Sequence, residues 1–296
     1  MQHSQRRTRI TTTVLAVALL IGWSAIPAPA QAPDQPPPSF SPDQLDKLVS
    51  RIALYPDPLL AQVLAAATFS DQIPDAAKWA DEHHYLTGDD LAKAISDDHL
   101  SWDPSVQALL PFPSVLESMA SDLDWAKNLG DAFLAQRQDV MDAVQRMRQK
   151  AKDYGYLSSN DRIAVSGGPY IDIEPVDPAF IVVPTYDPLV VFWPPRPGFV
   201  VGTAIGFGFG VGIGVAFRPW GWGFCRFDWG AHALFIAGAP WGRVWGNRGF
   251  YVHPYGDLHR WGPGPRVEGH RLIQRSEEER RAPREGHARP EERHRR

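Results

Sequence analysis

The sequence has almost no cysteine, since Cys225 is the single one in 296 residues. An internal disulfide needs two cysteines, so packing has to stabilise the fold. No catalytic constellation surrounds Cys225 in the sequence, which predicts an inert, partly buried thiol. Pairing with the cysteine of a second chain is the alternative.

Motifs of catalysis and cofactor binding are also missing. The chain contains no G-x-S-x-G, no P-loop, no dinucleotide-binding glycine pattern and no cysteine–histidine metal spacing. The nearest approach to a metal-binding set is Asp81, Glu82, His83, His84 and His99. Adjacent histidines point to different sides of a helix, so this stretch is predicted to be a solvated helix end. We therefore expect no metal and no cofactor, and the sequence favours a protein that is not an enzyme.

Acidic and basic residues are unevenly spread along the chain. Residues 31–160 contain 20 acidic and 10 basic residues, whereas residues 161–296 contain 14 acidic residues and 17 arginines. Binding to the phosphate backbone of a nucleic acid requires the opposite sign from that of the first part. We expect no nucleic-acid partner.

The first residues have the pattern of a secretory signal peptide. A basic start precedes an uncharged apolar run, and small residues follow it. Residues 1–30 are therefore predicted to be removed, by cleavage after Ala30 or Ala32, and a proline-rich linker follows over 31–42. The protein is predicted to be exported to the periplasm or cell envelope.

Two apolar helical runs over residues 45–67 meet at a proline-containing break, and the following helices are predicted to bury them. Pro56 and Pro58 cannot continue a helix, and each favours extended backbone at the residue before it. Asp57 is then predicted to cap the second helix, with Pro58 in its first position. A structural corner covered by Tyr55 is the favoured interpretation, and a site lined by Tyr55 and Asp57 is the alternative.

Helical spacing continues after this break and predicts a multi-helix domain. Ser41 is expected to cap the first helix, with proline directly after it. The longest helical stretch, 122–153, is predicted to divide into two helices near Gly130. Ser121 with Asp124 resembles a capping box at its start.

The pattern changes to short strands in the next part of the chain. Turns rich in glycine, proline and aspartate separate four β-type runs, at 163–165, 170–174, 180–183 and 189–193. One turn, Tyr186-Asp187-Pro188, repeats the Tyr, Asp and Pro chemistry of the first corner. The expected fold class is α+β, with a multi-helix α domain followed by a small antiparallel β section.

Several separate motifs, in order, resemble one known family. They are IALYPDPLLAQVL, WDPSVQALLPFPSVL, LGDAFLAQRQDVMDAVQRMR and YIDIEPVDPAFIVVPTYDPLVVFW. Together they are similar to the domain of unknown function DUF3300, over roughly residues 43–195. The resemblance implies a bacterial cell-envelope protein and carries no known catalytic residues. Some relatives would have a lipid-anchor cysteine, which this chain lacks near the predicted cleavage site.

Residues 200–217 form an uncharged stretch rich in glycine. Glycines at every fourth position would suit a membrane-inserted helix that packs closely with another helix. From residue 205 onward small and large side chains also alternate, which suits a strand. A flexible linker is the third interpretation, and membrane association or self-association is slightly favoured over it. The repeating positions are Gly202, Gly206, Gly210 and Gly214.

Tryptophan, glycine and arginine alternate through the rest of the segment 196–259. Trp220 and Trp222 open this pattern, which suits a membrane-interface belt or stacking on sugars. Irregular aromatic packing is the alternative. Residues 260–296 carry 11 arginines and 7 glutamates with few apolar residues, and we expect a disordered tail.

Two functions follow from these patterns. The favoured one is a non-enzymatic envelope protein whose 43–195 domain docks to an envelope component and whose glycine stretch associates with a membrane or with itself. A chain cut after residue 197 is then expected to stay folded. The alternative is a periplasmic or cell-wall hydrolase that uses carboxylates at two corners. The candidate residues are Tyr55, Asp57, Tyr186 and Asp187.

Overall fold

The computed structural model describes residues 35–198 and 201–252. The predicted signal peptide, the start of the linker and the predicted tail lie outside the described residues. From Pro37 onward the described residues form one unit.

Helices fill the first part of this unit, and prolines set where several of them begin. Proline occupies one of the first two positions in six helices of the described part. Ser41 caps the first helix in a reciprocal bond with Gln44, as predicted. The helices are α1 Pro42–Val49, α2 Asp57–Ala67, α3 Ile73–Glu82, α4 Gly88–Asp97, α5 Pro104–Gln107, α6 Pro113–Ser121, α7 Leu123–Ala135, α8 Arg137–Asp153 and α9 Pro188–Val191.

Helix α2 lies at the centre of the core. Its residues from Leu59 to Ala67 are all buried, which is the pattern of a helix covered on every side. Helix α7 packs against α2, while α1 packs on α8 and α3 on α6. The two apolar runs around the first corner are therefore buried by the later helices, as predicted.

The division of the long helical stretch differs from the prediction. Helix α7 runs straight through Gly130, and the break lies at Gln136. Glycine stands at 130 because α7 approaches α2 so closely that a Cβ there would lie 2.0 Å from the carbonyl oxygen of Ala67. The start of α7 is capped by Asp122, which accepts from the Trp125 amide at 3.1 Å, so the predicted Ser121 capping box is wrong.

Short antiparallel strands follow the helices and confirm the α+β class. β1 pairs with β2, β3 with β6 and β4 with β5, and the last three strands form one small sheet. The strands are β1 Ile163–Val165, β2 Ile173–Pro175, β3 Phe180–Ile181, β4 Pro184–Tyr186, β5 Ile205–Phe207, β6 Val211–Gly212, β7 Arg226–Asp228, β8 Ala233–Ile236 and β9 Ala239–Pro240.

The predicted strand at 189–193 is instead the short helix α9. Asp187 accepts a hydrogen bond from the Leu189 amide at 2.8 Å, and Pro188 takes the first helical position. The aspartate-proline pair therefore starts a helix turn here, which outweighs the β-type side chains that follow it.

The described part of the glycine stretch, residues 201–217, contains no long helix. It supplies β5 and β6, which pair with β4 and β3, between 3-10 turns at Val201–Thr203 and Val215–Trp220. The strand interpretation is therefore correct for two short segments of this stretch, β5 and β6, because β4 and β3 supply their hydrogen-bonding partners. In residues 35–198 and 201–252, no helix has both the length and the apolar character needed to cross a bilayer.

The segment beyond residue 195 belongs to the same hydrophobic core as the helices. Phe217, Trp222 and Trp241 are buried, at 1%, 1% and 3% exposure. The indole of Trp222 donates to the Ala108 carbonyl at 3.0 Å, and Arg243 donates to the Thr68 carbonyl at 2.8 Å. The boundary expected at residue 195 therefore does not separate two cores.

Candidate functional site

The first corner holds a buried ion pair. Asp57 does not cap α2, as the sequence suggested, but turns inward to Arg148 of α8. An oxygen of its carboxylate lies 2.6 Å from the Arg148 Nη2 atom, and the two residues are 2% and 0% exposed. A buried charge needs a partner of opposite charge. The Asp57 carboxylate therefore binds Arg148 and does not cap the first amides of α2.

Arg148 connects this corner to the β section. Its guanidinium donates to three carbonyl oxygens, those of Ala53 at 2.8 Å, Ile171 at 2.7 Å and Tyr55 at 3.1 Å. The same group lies 5.0 Å from the ring centroid of Trp229. Sequence reasoning missed Arg148, although an arginine within the apolar stripe of α8 was a usable signal of a buried charge.

Two further carboxylates lie near this pair on and beside β2. Burial raises the pKa of Asp57, and Arg148 opposes that change. Partial burial, and then the charges of Asp57 and Asp172, raise the pKa of Glu174 to about 7. The Glu174 side chain keeps a large exposed area, so solvent screens these effects in part.

The second corner meets the first through Tyr186. The Tyr186 hydroxyl accepts from the Leu54 amide at 3.3 Å, and burial raises its pKa well above the usual value. Burial likewise raises the pKa of Tyr55 to about 12. Asp187 stays exposed as the cap of α9. The two carboxylates therefore have separate structural roles, and Asp57 has almost no surface from which to reach a substrate.

The four repeating glycines occupy unrelated local structures. Gly202 lies in a 3-10 turn, Gly206 in β5, Gly210 between β5 and β6, and Gly214 directly before the 3-10 turn Val215–Trp220. A Cβ at Gly202 or Gly214 would meet nothing within 4 Å, whereas one at Gly210 would lie 3.1 Å from the Phe180 Cβ atom. The four glycines do not form one packing face in this structure.

Trp220 and Trp222 are anchors of the core. They are 7% and 1% exposed, which leaves little surface for stacking on a sugar or lying in a membrane interface. The Trp220 indole donates to the Gln107 side chain at 2.8 Å, and Gln62 donates to the Trp220 carbonyl at 2.9 Å. The alternative of aromatic packing describes both residues.

Cys225 is buried beside these tryptophans. Burial raises the pKa of its thiol to about 12, so the thiolate is scarce at ordinary pH. The sulfur lies 3.2 Å from the Gly221 carbonyl and 3.3 Å from the Gln62 side chain. This position confirms the inert thiol expected from the sequence.

An apolar groove lies between the helices and the glycine-rich strands. Its volume is about 460 Å³. The loop joining α3 to α4 forms one wall, and β6 with the preceding loop forms another. Apolar side chains contributed by these walls and the floor include Leu86, Leu91, Leu110, Phe180, Phe209 and Phe217.

Exposed aromatic rings stand at the edge of this groove. Phe209 is 96% exposed between two glycines, and Phe180 is 50% exposed. Tyr85, adjacent to the lining residue His84, is 68% exposed. Aromatic side chains held so far out of the core are typical of surfaces that bind a partner.

Two of the histidines considered as metal ligands, His83 and His84, line one wall of the groove, and His99 does not. His83 stacks on Trp79, with ring centroids 3.9 Å apart, and its Nδ1 atom lies 2.8 Å from the Trp79 carbonyl oxygen. His84 lies 2.6 Å from the Asp81 carbonyl oxygen through its own Nδ1 atom. Among the described residues, no group of three or more histidine, cysteine or acidic side chains is placed to hold a metal ion.

The protein thus has an α+β fold with an apolar groove on its surface. The buried Asp57–Arg148 pair connects its helices to the β section. Residues 41–241 match the model of the family described as a protein of unknown function, DUF3300. The chain belongs to this family, and the match extends through the buried tryptophans. The resemblance stated from sequence motifs is confirmed.

One curated relative carries the same type of sequence. It is the uncharacterized protein YacH of Escherichia coli (strain K12), 35% identical over 202 residues. The alignment covers 57% of this chain and 32% of the relative, so the chain spans about a third of the length of that protein. No solved structure matches the chain significantly.

Proposed function

We propose that the protein is an exported, non-enzymatic component of the cell envelope that binds a partner in the apolar groove. The observation that carries the proposal is Phe209, which is 96% exposed at the edge of a groove lined by apolar side chains. Exposing a phenylalanine to water forgoes about 1.5–3 kcal/mol of burial free energy, which a bound partner would recover. The glycine-rich segment then serves as one wall of a docking surface.

The signal peptide predicted over residues 1–30 supports export. The test is fractionation of cells that express the native chain, a carbonate wash of the membranes and N-terminal sequencing. We expect a mature protein that begins near Gln31 and is released from the washed membranes. An N-terminus at Met1 in the cytoplasmic fraction would contradict export.

The docking role is tested with a photo-reactive phenylalanine placed at position 209 in intact cells. Position 250 is the matched control, because Phe250 is 77% exposed and does not line the groove. We expect a discrete cross-linked product from position 209 and none from position 250. The same pattern from both positions would contradict a docking surface at the groove.

The hydrolase alternative has less support. Its acid at the first corner is 2% exposed and paired with Arg148, and its acid at the second corner caps a short helix. A general acid or base has to come within hydrogen-bond reach of the reacting atoms. Asp57 would have to break a buried ion pair before it could act.

A further inference from the structure

We infer that the occupant of the groove is a peptide segment that carries both apolar and basic side chains. This inference rests on the proposed docking function and adds the chemistry of the partner. Three observations lead to it: the uncharged lining, the unpaired acids at one rim and the concave shape.

The lining selects apolar side chains. None of the residues that form its walls is lysine, arginine, aspartate or glutamate. The glycines on the strand side, Gly210 and Gly212, add no side chains to the lining, and the ring of Phe180 packs against both of them. A groove of this type binds a few apolar side chains rather than a charged small molecule.

The rim beside the lining residues His83 to Gly88 is acidic. Asp81, Asp89 and Asp90 are exposed and lie within two residues of this wall, and no ion pair engages them in the described part of the chain. The nearby lysines are already matched, since Lys78 pairs with Glu82 and Lys93 with Asp97.

Arg218 is a cation beside the groove. Arg218 follows the lining residue Phe217, and its guanidinium is 5.9 Å from the Phe224 ring. The turn that carries Arg218 packs against α4, yet among the described residues no ion pair joins Arg218 to the three carboxylates of the acidic rim. Basic side chains next to the apolar ones would therefore be attracted to this rim.

The same features disfavour a lipid surface as the occupant. Anionic lipid headgroups are attracted to basic protein surfaces and are repelled by acidic ones. The groove is also concave, and its lining includes buried residues such as Leu91, which is 6% exposed. A peptide can enter such a groove, whereas a flat bilayer meets only the exposed aromatic rings at its edge.

The test is titration of the full chain with three synthetic peptides of equal length, which alternate Leu with Lys, Leu with Glu, or Ser with Lys. Vesicles of zwitterionic and of anionic lipid are further probes, and sedimentation measures self-association. We expect the Leu-Lys peptide to bind at least about tenfold more tightly than the other two, with an affinity that falls as salt rises.

Variants assign this binding to the groove. Phe209→Ser is expected to weaken the Leu-Lys peptide about tenfold, and Phe250→Ser is its control at an exposed site elsewhere. The double change Asp89→Asn and Asp90→Asn is expected to weaken it about threefold and to flatten the salt dependence. Asp124→Asn is the matched control, because Asp124 also lies in the first turn of a helix.

The outcomes separate the two proposals. If the Leu-Glu peptide binds as tightly as the Leu-Lys peptide and both respond to Phe209→Ser, the basic partner is wrong while docking stands. If no probe responds to Phe209→Ser, docking at the groove fails as well. Vesicle binding or self-association that responds to Phe209→Ser, without peptide binding, would replace the peptide by a membrane or a second copy.

Discussion

The helical part and the glycine- and tryptophan-rich segment contribute to one core by different means. In the helices, apolar residues recur at helical spacing, and α2 is buried on every side. In residues 201–252, the buried aromatic residues come from short strands, 3-10 turns and loops, and indole nitrogens such as that of Trp222 bond to the helices. A segment without a regular spacing of apolar residues can therefore still belong to the same hydrophobic core as the helices.

Truncation gives the largest effect and addresses the comparison directly. A chain ending at residue 198 loses Phe217, Trp220 and Trp222 from the core, each worth about 1.5–3 kcal/mol in burial alone. Domain stability is only about 5–15 kcal/mol, so we expect this chain to lose cooperative unfolding and near-UV circular dichroism. A chain ending at residue 252 is the control and is expected to keep both. A cooperative transition in the shorter chain would restore the two-part organisation expected from the sequence.

The next contrast sets the aspartates of the two corners against each other. Asp57→Ala leaves the guanidinium of Arg148 buried without its carboxylate, which is expected to lower the free energy of unfolding by about 3–5 kcal/mol. Asp187→Ala removes an exposed helix cap and is expected to lower it by about 1 kcal/mol. Urea denaturation measures both values. Equal losses would mean that the ion pair contributes no more than the cap.

Glycines in the helical part and in the glycine-rich segment differ in how closely other atoms approach them. Gly130→Ala places a Cβ against the carbonyl of Ala67 and forces α7 away from α2, at an expected loss of about 2–3 kcal/mol. Gly214→Ala meets open space and is expected to change stability by less than about 0.5 kcal/mol. Thermal unfolding of the two variants tests the pair. A large loss at Gly214 would show that the repeating glycines pack against something after all.

Local chemistry made part of this fold predictable. Ser41 with Pro42, and Asp103 with Pro104, determine where helices begin because a cap and a proline act on neighbouring backbone. The partner of Asp57 lies on α8, far along the chain, and no local pattern pairs the two. For residues 201–217 the sequence was compatible with a helix, a strand or a linker. The structure contains strands there because β5 and β6 pair with the edges of β4 and β3.

The candidate site was harder to predict than the fold. Four candidate residues were proposed because the two corners share the residue types Tyr, Asp and Pro. In the structure Asp57 is buried, and Asp187 caps the helix α9. The groove depends on Phe209 and Phe180 meeting the loop between α3 and α4, which only the tertiary arrangement brings about. The position of Phe209 between two glycines, in a strand-like alternation, was a local signal in the sequence, but its exposure is known only from the structure.

The smallest expected effect on stability comes from Glu174, which lies on β2 near the Asp57–Arg148 pair. Its pKa, raised from 4.5 to about 7, means that the folded protein binds this proton more tightly than the unfolded chain does. The folded protein should therefore lose stability as pH rises from about 4.5 to about 7, with no further change from this group above that range. Because the side chain is partly exposed, we expect a total loss of about 1 kcal/mol or less.

Glu174→Gln removes this titration. The variant should be more stable than the parent above pH 7 and equal to it near pH 4, when free energies of unfolding are compared across that range in urea. Glu117→Gln, on the exposed side of α6, controls for the loss of a negative charge and should leave the slope between pH 4.5 and pH 7 in place. An unchanged slope in Glu174→Gln would assign the pH dependence to other groups. Solvent would then screen Glu174, and the buried Asp57–Arg148 pair would connect the helices to β2 through the Ile173 amide, which donates to Asp57.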